Sequence, residues 1–135
     1  MEIPFQSDAW GKLVLRLTLG VLMAFHGFAK IVNPDRTLDF MGGLLTAAGL
    51  PAYLAYGVFI GEVLAPVLIV FGIFSRLGGL IVVINMIFAV LLAHSAQLLT
   101  LTKNGGWALE LQGFYLLTGL ALFFLGSGRF AVKPD

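Results

Sequence analysis

Ionisable side chains interrupt long apolar stretches of this 135-residue chain, and their types could support proton chemistry. His26 and Glu62 supply an imidazole and a carboxylate, and Lys30 lies one helical turn after His26 on the same face. A charge at membrane depth costs about 2.5–3.5 kcal/mol on insertion scales, so it normally faces the protein interior and has a partner. We predict that His26 and Glu62 are partners and the catalytic residues of a polar site.

Five further polar residues are predicted to bind a substrate or carrier at the same site: Lys30, His94, Glu110, Tyr115 and Asn85. Four of them also have a structural interpretation. Lys30 and Glu110, near helix ends, suit the headgroup level, and a histidine close to an interface, such as His94, is often structural. Asn85, near the middle of an apolar stretch, is typical of hydrogen bonding between helices.

Two arginines are predicted to be structural rather than part of the site. Arg16 lies near the start of the first apolar stretch, where its guanidinium can extend to the interface. Arg76 follows the second stretch in a very short turn, which makes the stretches on either side antiparallel neighbours.

Composition and hydropathy predict a membrane protein. Hydrophobic residues make up 59% of the chain and charged residues 11%, against about 45–50% and 25% in soluble domains. A helix needs about 20 residues to cross a hydrocarbon core of about 30 Å. We therefore predict an all-α fold, a transmembrane four-helix bundle in which residues 1–135 form a single domain, with spans at residues 13–32, 53–74, 77–96 and 108–126.

A short amphipathic helix is predicted between spans one and two, over residues 34–48. Asn33 can cap it and Pro34 suits its first position, whereas Gly49 and Pro51 end it. At this length it cannot cross the bilayer, so it lies at the surface or folds over the mouth of the bundle.

The charge distribution predicts a location and excludes some partners. A net charge of +1 argues against nucleic acid binding, and the absence of cysteine excludes thiolate metal sites and disulfide chemistry. With four spans, both termini lie on one side, and that side carries more of the eight Lys and Arg residues than the other. The positive-inside rule then predicts a multi-pass plasma-membrane protein with cytoplasmic termini and a polar site in the outer half of the membrane.

Histidine and carboxylate together in a wet pocket within the lipid suit proton exchange with a small redox carrier such as a quinone. The same groups could instead hold the helices in register. Two histidines on different spans could also bind a haem, but the chain has only one such pair, and we do not expect haem or a metal site. No flavin or nucleotide motif is present, so electron transfer would require an external cofactor or a partner subunit.

Over residues 12–130 the chain resembles the DoxX family of small four-helix membrane proteins, because several motifs occur in the order and spacing of that family. The motifs include His26-Gly27, Gly49 with Pro51, Gly72 with Arg76, and Gly126-Ser-Gly128. The resemblance implies a family linked to redox work, named after a thiosulfate:quinone oxidoreductase subunit, with relatives associated with membrane oxidoreductase complexes and tolerance of quinone-like compounds. It implies that the family's polar positions are Arg16, His26, Lys30, Glu62 and Arg76.

Three interpretations follow. The first is a redox-associated membrane protein, a component of a quinone-linked oxidoreductase that binds a quinone-like or other small apolar carrier. The second is a non-catalytic subunit that anchors or stabilises a partner enzyme in oxidative-stress or detoxification pathways. The third, a small transporter, is weaker because one four-helix unit leaves little room for alternating access unless it forms a homo-oligomer. Whether the chain is itself an enzyme stays open.

Overall fold

A computed structural model describes residues 5–135, and these residues form helices, turns and two isolated bridges, with no β-strand. The predicted all-α fold is confirmed. Helix α1 spans Asp8–Val32, α2 spans Pro34–Ala47, α3 spans Ala52–Phe71, α4 spans Ser75–Ala93 and α5 spans Glu110–Leu125. A single 3₁₀ turn, Ser95–Gln97, follows α4.

Three of these helices, α1, α3 and α4, are long and apolar enough to cross a membrane. Helix α5 is equally apolar but has 16 residues, a length of about 24 Å against a core of about 30 Å. Its bounds lie one or two residues inside the predicted span. Large hydrophobic side chains point outward along the bundle, among them Phe25, Phe28, Phe114 and Phe124, as expected of a protein surrounded by lipid.

The two ends of α2 follow the predicted signals in part. Asn33 occupies the N-cap position and Pro34 the first helical position, but the Asn33 side chain makes no capping hydrogen bond, so that part of the prediction is wrong. At the other end Gly49 has φ +78°, a left-handed conformation that glycine adopts without strain. The helix therefore ends at Ala47, four residues before Pro51.

The core of the bundle contains fully buried side chains from each of the four longer helices, among them Met23, Ile69, Val82 and Leu122. Glycines allow the helices to approach closely around it. A Cβ added at Gly79 of α4 would overlap the carbonyl oxygen of Gly119 in α5, so these two backbones touch.

Arg16 does not extend to the interface as predicted. Its exposure is 2%, and its guanidinium donates hydrogen bonds of 2.7–3.1 Å to four backbone carbonyls, those of Ile69, Val70, Ser127 and Phe130. Ile69 and Val70 lie near the end of α3, whereas Ser127 and Phe130 lie in the tail after α5. The side chain is buried because the tail folds back across this end of the bundle.

Arg76 also makes structural contacts at this end. Its side chain donates to the carbonyls of Phe123 and Phe124 in the last turn of α5, where orphan carbonyls need partners. Its backbone N–H donates to the Asp135 carboxylate, which also accepts from the N–H of Ser127. The ring of Trp10 lies 4.7 Å from that of Phe130, so both ends of the described chain lie at the same end of the bundle.

Candidate functional site

A cavity of about 590 Å³ lies at the opposite end of the bundle and is lined by residues of all five helices. This volume falls in the range of ligand pockets, about 300–1,000 Å³. Phe40, Met41 and Leu45 of α2 form part of its wall. The amphipathic helix therefore folds over the mouth of the bundle, one of the two placements that its sequence allowed.

The middle of α3 departs from α-helical geometry where it meets the cavity. Residues Ile60–Leu64 form a π-helical turn, followed by the regular segment Ala65–Phe71. Pro66 has no N–H and cannot donate to the carbonyl of Glu62 four residues earlier. The distortion that a proline causes in a helix thus takes the form here of a π-turn in the preceding residues, a feature that recurs at functional sites.

Gly27 brings α1 against this distorted turn. A Cβ at position 27 would overlap the carbonyl oxygen of Glu62, so only glycine permits the observed contact between the two backbones. Because side chains of a helix lean toward its N-terminus, Lys30, one turn further on, can reach back to the same level. The contact between Gly27 and Glu62 therefore sets the depth at which the polar residues of α1 and α3 meet.

The carboxylate of Glu62 pairs with Lys30. The Lys30 Nζ lies 2.8 Å from Glu62 Oε1, and Glu62 is only 7% exposed, whereas the Lys30 side chain retains 27% exposure. The prediction that Glu62 pairs with His26 is therefore wrong, because its partner is Lys30. His26 nevertheless lines the same cavity.

His26 contacts the aromatic ring of Tyr115 instead. The two rings are perpendicular, with centroids 5.6 Å apart, an edge-to-face arrangement that aromatic rings favour. Tyr115 is buried and His26 half-buried, and both line the cavity. Within residues 5–135 neither ring nitrogen of His26 nor the Tyr115 hydroxyl has a hydrogen-bond partner, so these groups are free to bind a ligand.

Asn85 and His94 of α4 also line the cavity. The Asn85 side chain packs on Gly61, where a Cβ would overlap it, and among residues 5–135 it makes no hydrogen bond between helices, contrary to the structural interpretation. His94 ends α4 and its Nδ1 lies 3.0 Å from Gln97 Oε1. His94 is therefore partly engaged at the rim, whereas Asn85 faces the interior.

Of two neighbouring polar residues of α5, the predicted site residue Glu110 lies outside the cavity, and Gln112, which was not predicted, lies in its wall. Glu110 is exposed at the start of α5, next to Gly106, and is not among the lining residues. Gln112 lines the cavity, and its Oε1 is buried without a partner among the described residues. Its position three residues before Tyr115, on the same helix face, was the available signal. Nowhere in residues 5–135 do three His, Asp or Glu residues come close enough to hold a metal ion.

Comparisons with known proteins identify relatives along most of the chain. Residues 11–95 match the model of the DoxX family. The chain is 29% identical over 124 residues to a Bacillus subtilis protein named "Putative oxidoreductase CatD", covering 92% of this chain and 85% of that one. It is 31% identical over 121 residues to an "Uncharacterized protein" of Haemophilus influenzae, covering 87% and 84% respectively. No solved structure matches.

Proposed function

The chain belongs to the DoxX family, and from that premise we propose that it is a redox-associated membrane protein that binds a quinone-like carrier in the cavity beside His26, Lys30 and Tyr115. The name of the Bacillus subtilis relative supports the redox class. The carrier itself is inferred from the chemistry of the cavity.

One observation carries the proposal: hydrogen-bond donors from three helices meet in a cavity that is otherwise apolar. The ammonium of Lys30 and the imidazole of His26 come from α1, the amide of Asn85 from α4 and the hydroxyl of Tyr115 from α5. A quinone presents two carbonyl oxygens, which accept hydrogen bonds, on a flat apolar ring. A small number of polar groups on an apolar wall is the arrangement that orients such a ligand.

The residues also suit proton movement. Reduction of a quinone to a quinol adds one proton to each carbonyl oxygen, and an imidazole can hold and release a proton near neutral pH. We assign this role to His26. Glu62 acts through Lys30, because its carboxylate holds the ammonium at a fixed place on the cavity wall. The electrons come from a partner oxidoreductase, since no cofactor motif is present in the sequence.

The membrane setting is part of the same proposal. The cavity lies at the end of the bundle away from the termini. With the termini in the cytoplasm, as the charge distribution predicts, the cavity opens in the outer half of the plasma membrane. A carrier dissolved in the bilayer would reach it without crossing an aqueous phase.

The proposal is tested by binding of a methyl-substituted 1,4-benzoquinone to the purified protein in lipid nanodiscs. We expect His26→Phe, which keeps the ring volume but loses the imidazole nitrogens, to weaken binding at least tenfold, about the free energy of one hydrogen bond to a polar ligand. Lys12→Met is the control, because Lys12 forms a similar 2.8 Å ion pair with Asp8 on α1 but at the other end of the bundle.

The outcome separates the proposal from the subunit interpretation. Binding to wild type that His26→Phe weakens and Lys12→Met leaves unchanged supports a carrier site in the cavity. A folded wild-type protein that binds no quinone contradicts it and favours a non-catalytic subunit that stabilises a partner enzyme. Equal binding by all three proteins places the quinone elsewhere and also contradicts the proposal.

A further inference from the structure

The cavity is partly open, and several apolar residues that line it are also exposed. Ile60 of α3 and Ile84 and Phe88 of α4 line the cavity and are 46–50% exposed. Gly57 lines it as well, and a Cβ added there would meet no atom within 4 Å. The space beside Gly57 is therefore an unfilled gap, and the apolar lining residues on α3 and α4 are half-exposed.

The gap follows from how α3 packs along its length. Its first turn, Ala52–Tyr56, packs mainly against α2, whereas the π-turn Ile60–Leu64 and the segment Ala65–Phe71 pack against both α1 and α4. The start of α3 is thus drawn toward α2 while the rest stays with α1 and α4. Between these two contacts the cavity reaches the outer surface.

We propose that this opening, bordered by Gly57, Ile60, Ile84 and Phe88, is a side entrance from the bilayer and that the bound carrier has a hydrocarbon tail lying in it. The inference rests on the proposed function, which supplies the polar head bound beside His26 and Lys30. It adds the class of carrier, a lipid-soluble quinone with an alkyl or isoprenoid chain, and the route by which it enters.

The chemistry of the two parts of the cavity matches the two parts of such a molecule. The donors lie inside, on α1, α4 and α5, while the side chains that border the opening are purely apolar. On the α1 side of α3, Ile60 also borders a shallow groove whose other lining residues, Ile31, Phe59, Val63, Leu64 and Val67, are all apolar. A tail that passes Ile60 into this groove therefore meets no polar group that would have to be desolvated.

We expect the protein to bind a quinone with a tail about as tightly as one without, rather than much more tightly. Lipid chains are as apolar as the side chains of the opening, so moving a tail from the bilayer into the opening changes its free energy little. A closed wall, in contrast, would exclude the tail by steric overlap. The ratio of the Kd of a tailed quinone to that of the same quinone without a tail, with both concentrations expressed in the lipid phase, distinguishes the two cases.

The experiment compares a methyl-substituted 1,4-benzoquinone with its decyl derivative in nanodiscs, for wild type, Ile84→Trp and Ile87→Trp. Ile87 is the matched control: it lies on the same helix with similar exposure, 44% against 48%, but does not line the cavity. We expect a Kd ratio within about threefold of one for wild type and Ile87→Trp. For Ile84→Trp, whose larger ring narrows the opening, we expect the ratio to exceed ten.

Each other outcome has a definite meaning. A wild-type ratio above ten shows that the tail is excluded, and an Ile84→Trp ratio near one shows that it leaves by another route; either overturns the side entrance while the proposed carrier site stands. Binding of neither quinone overturns both. If Ile84→Trp does not fold, a quinone with a photoreactive group on its first tail carbon tests wild type directly. Labelling of Ile60, Ile84 or Phe88 supports the entrance if an excess of the tailless quinone suppresses it. Labelling that the tailless quinone does not suppress contradicts the entrance.

Discussion

Each end of the bundle holds a cation of α1 inside the protein, but the two cations are bonded in different ways. Arg16 is 2% exposed and donates to four carbonyls from two segments distant in sequence. Lys30 has one partner, Glu62, and borders a cavity of about 590 Å³. A buried charge with four of its five N–H donors engaged stabilises a fold, whereas polar groups left partly unpaired around a cavity are available to a ligand. The first arrangement is structural and the second is suited to binding.

We expect the largest loss of stability for Arg16→Met, which tests the structural role assigned to Arg16. The change removes the Arg16 donor from four carbonyls, of which that of Ile69 still accepts from the N–H of Gly72. Each unpaired buried polar group costs about 1–3 kcal/mol, so with three such carbonyls we expect a loss of at least about 3 kcal/mol in the free energy of unfolding. Arg16→Lys should recover little, because a single ammonium cannot reach both the end of α3 and the tail. Thermal unfolding in detergent, followed by circular dichroism, measures both. An unchanged midpoint for Arg16→Met would contradict a structural role.

The contact between Gly27 and Glu62 predicts the next largest effect. Gly27→Ala forces α1 away from the π-turn, and overpacking of this kind costs about 1–3 kcal/mol. Gly11→Ala is the matched control, because it lies on the same helix with open space around it and should be neutral or stabilising by up to about 1 kcal/mol. We also expect Gly27→Ala to weaken quinone binding, since it displaces Glu62 and with it Lys30. Similar unfolding midpoints for the two variants would show that the close approach is dispensable.

The ion pair at the cavity predicts a smaller effect with a characteristic pattern. Lys30→Met leaves the Glu62 carboxylate buried and unpaired; such a change costs about 3–5 kcal/mol in a fully buried pair, and we expect about 2 kcal/mol here because Lys30 is partly exposed. Adding Glu62→Gln should restore most of this stability but not quinone binding, which still lacks the ammonium. Unfolding midpoints and Kd values of the single and double variants form the test. Recovery of both quantities in the double variant would show that Lys30 serves only to neutralise Glu62.

Hydropathy and turn signals were sufficient to predict the helices but not the partners of their polar residues. The bounds of α2 follow from Pro34 and Gly49, and the apolar runs locate α1, α3, α4 and α5 to within a few residues, except that α1 begins at Asp8, where Ser7 caps it by accepting the N–H of Trp10. These features depend on neighbours in sequence, so a local pattern contains them.

Contacts between helices depend on register, which the local pattern does not contain. Lys30 rather than His26 pairs with Glu62 because the π-turn and the approach at Gly27 set the relative depth of α1 and α3. Arg16 is buried because the tail after α5 folds back over it. Neither contact can be predicted from the apolar pattern of the first stretch alone, because each depends on a segment distant in sequence. The polar residues were therefore recognised as a set, while their roles within it required the structure.

The most direct test of the central claim is the distance between a bound quinone and the donors of the cavity. Wild-type protein with ¹⁵N-labelled histidine and lysine, in lipid bilayers with a quinone ¹³C-labelled at its carbonyls, allows this measurement by solid-state NMR dipolar recoupling. We predict magnetisation transfer from the quinone carbonyl to the His26 ring or the Lys30 Nζ, lost in His26→Phe or Lys30→Met respectively and retained in Lys12→Met. A quinone that binds but shows no transfer to either residue would contradict the account.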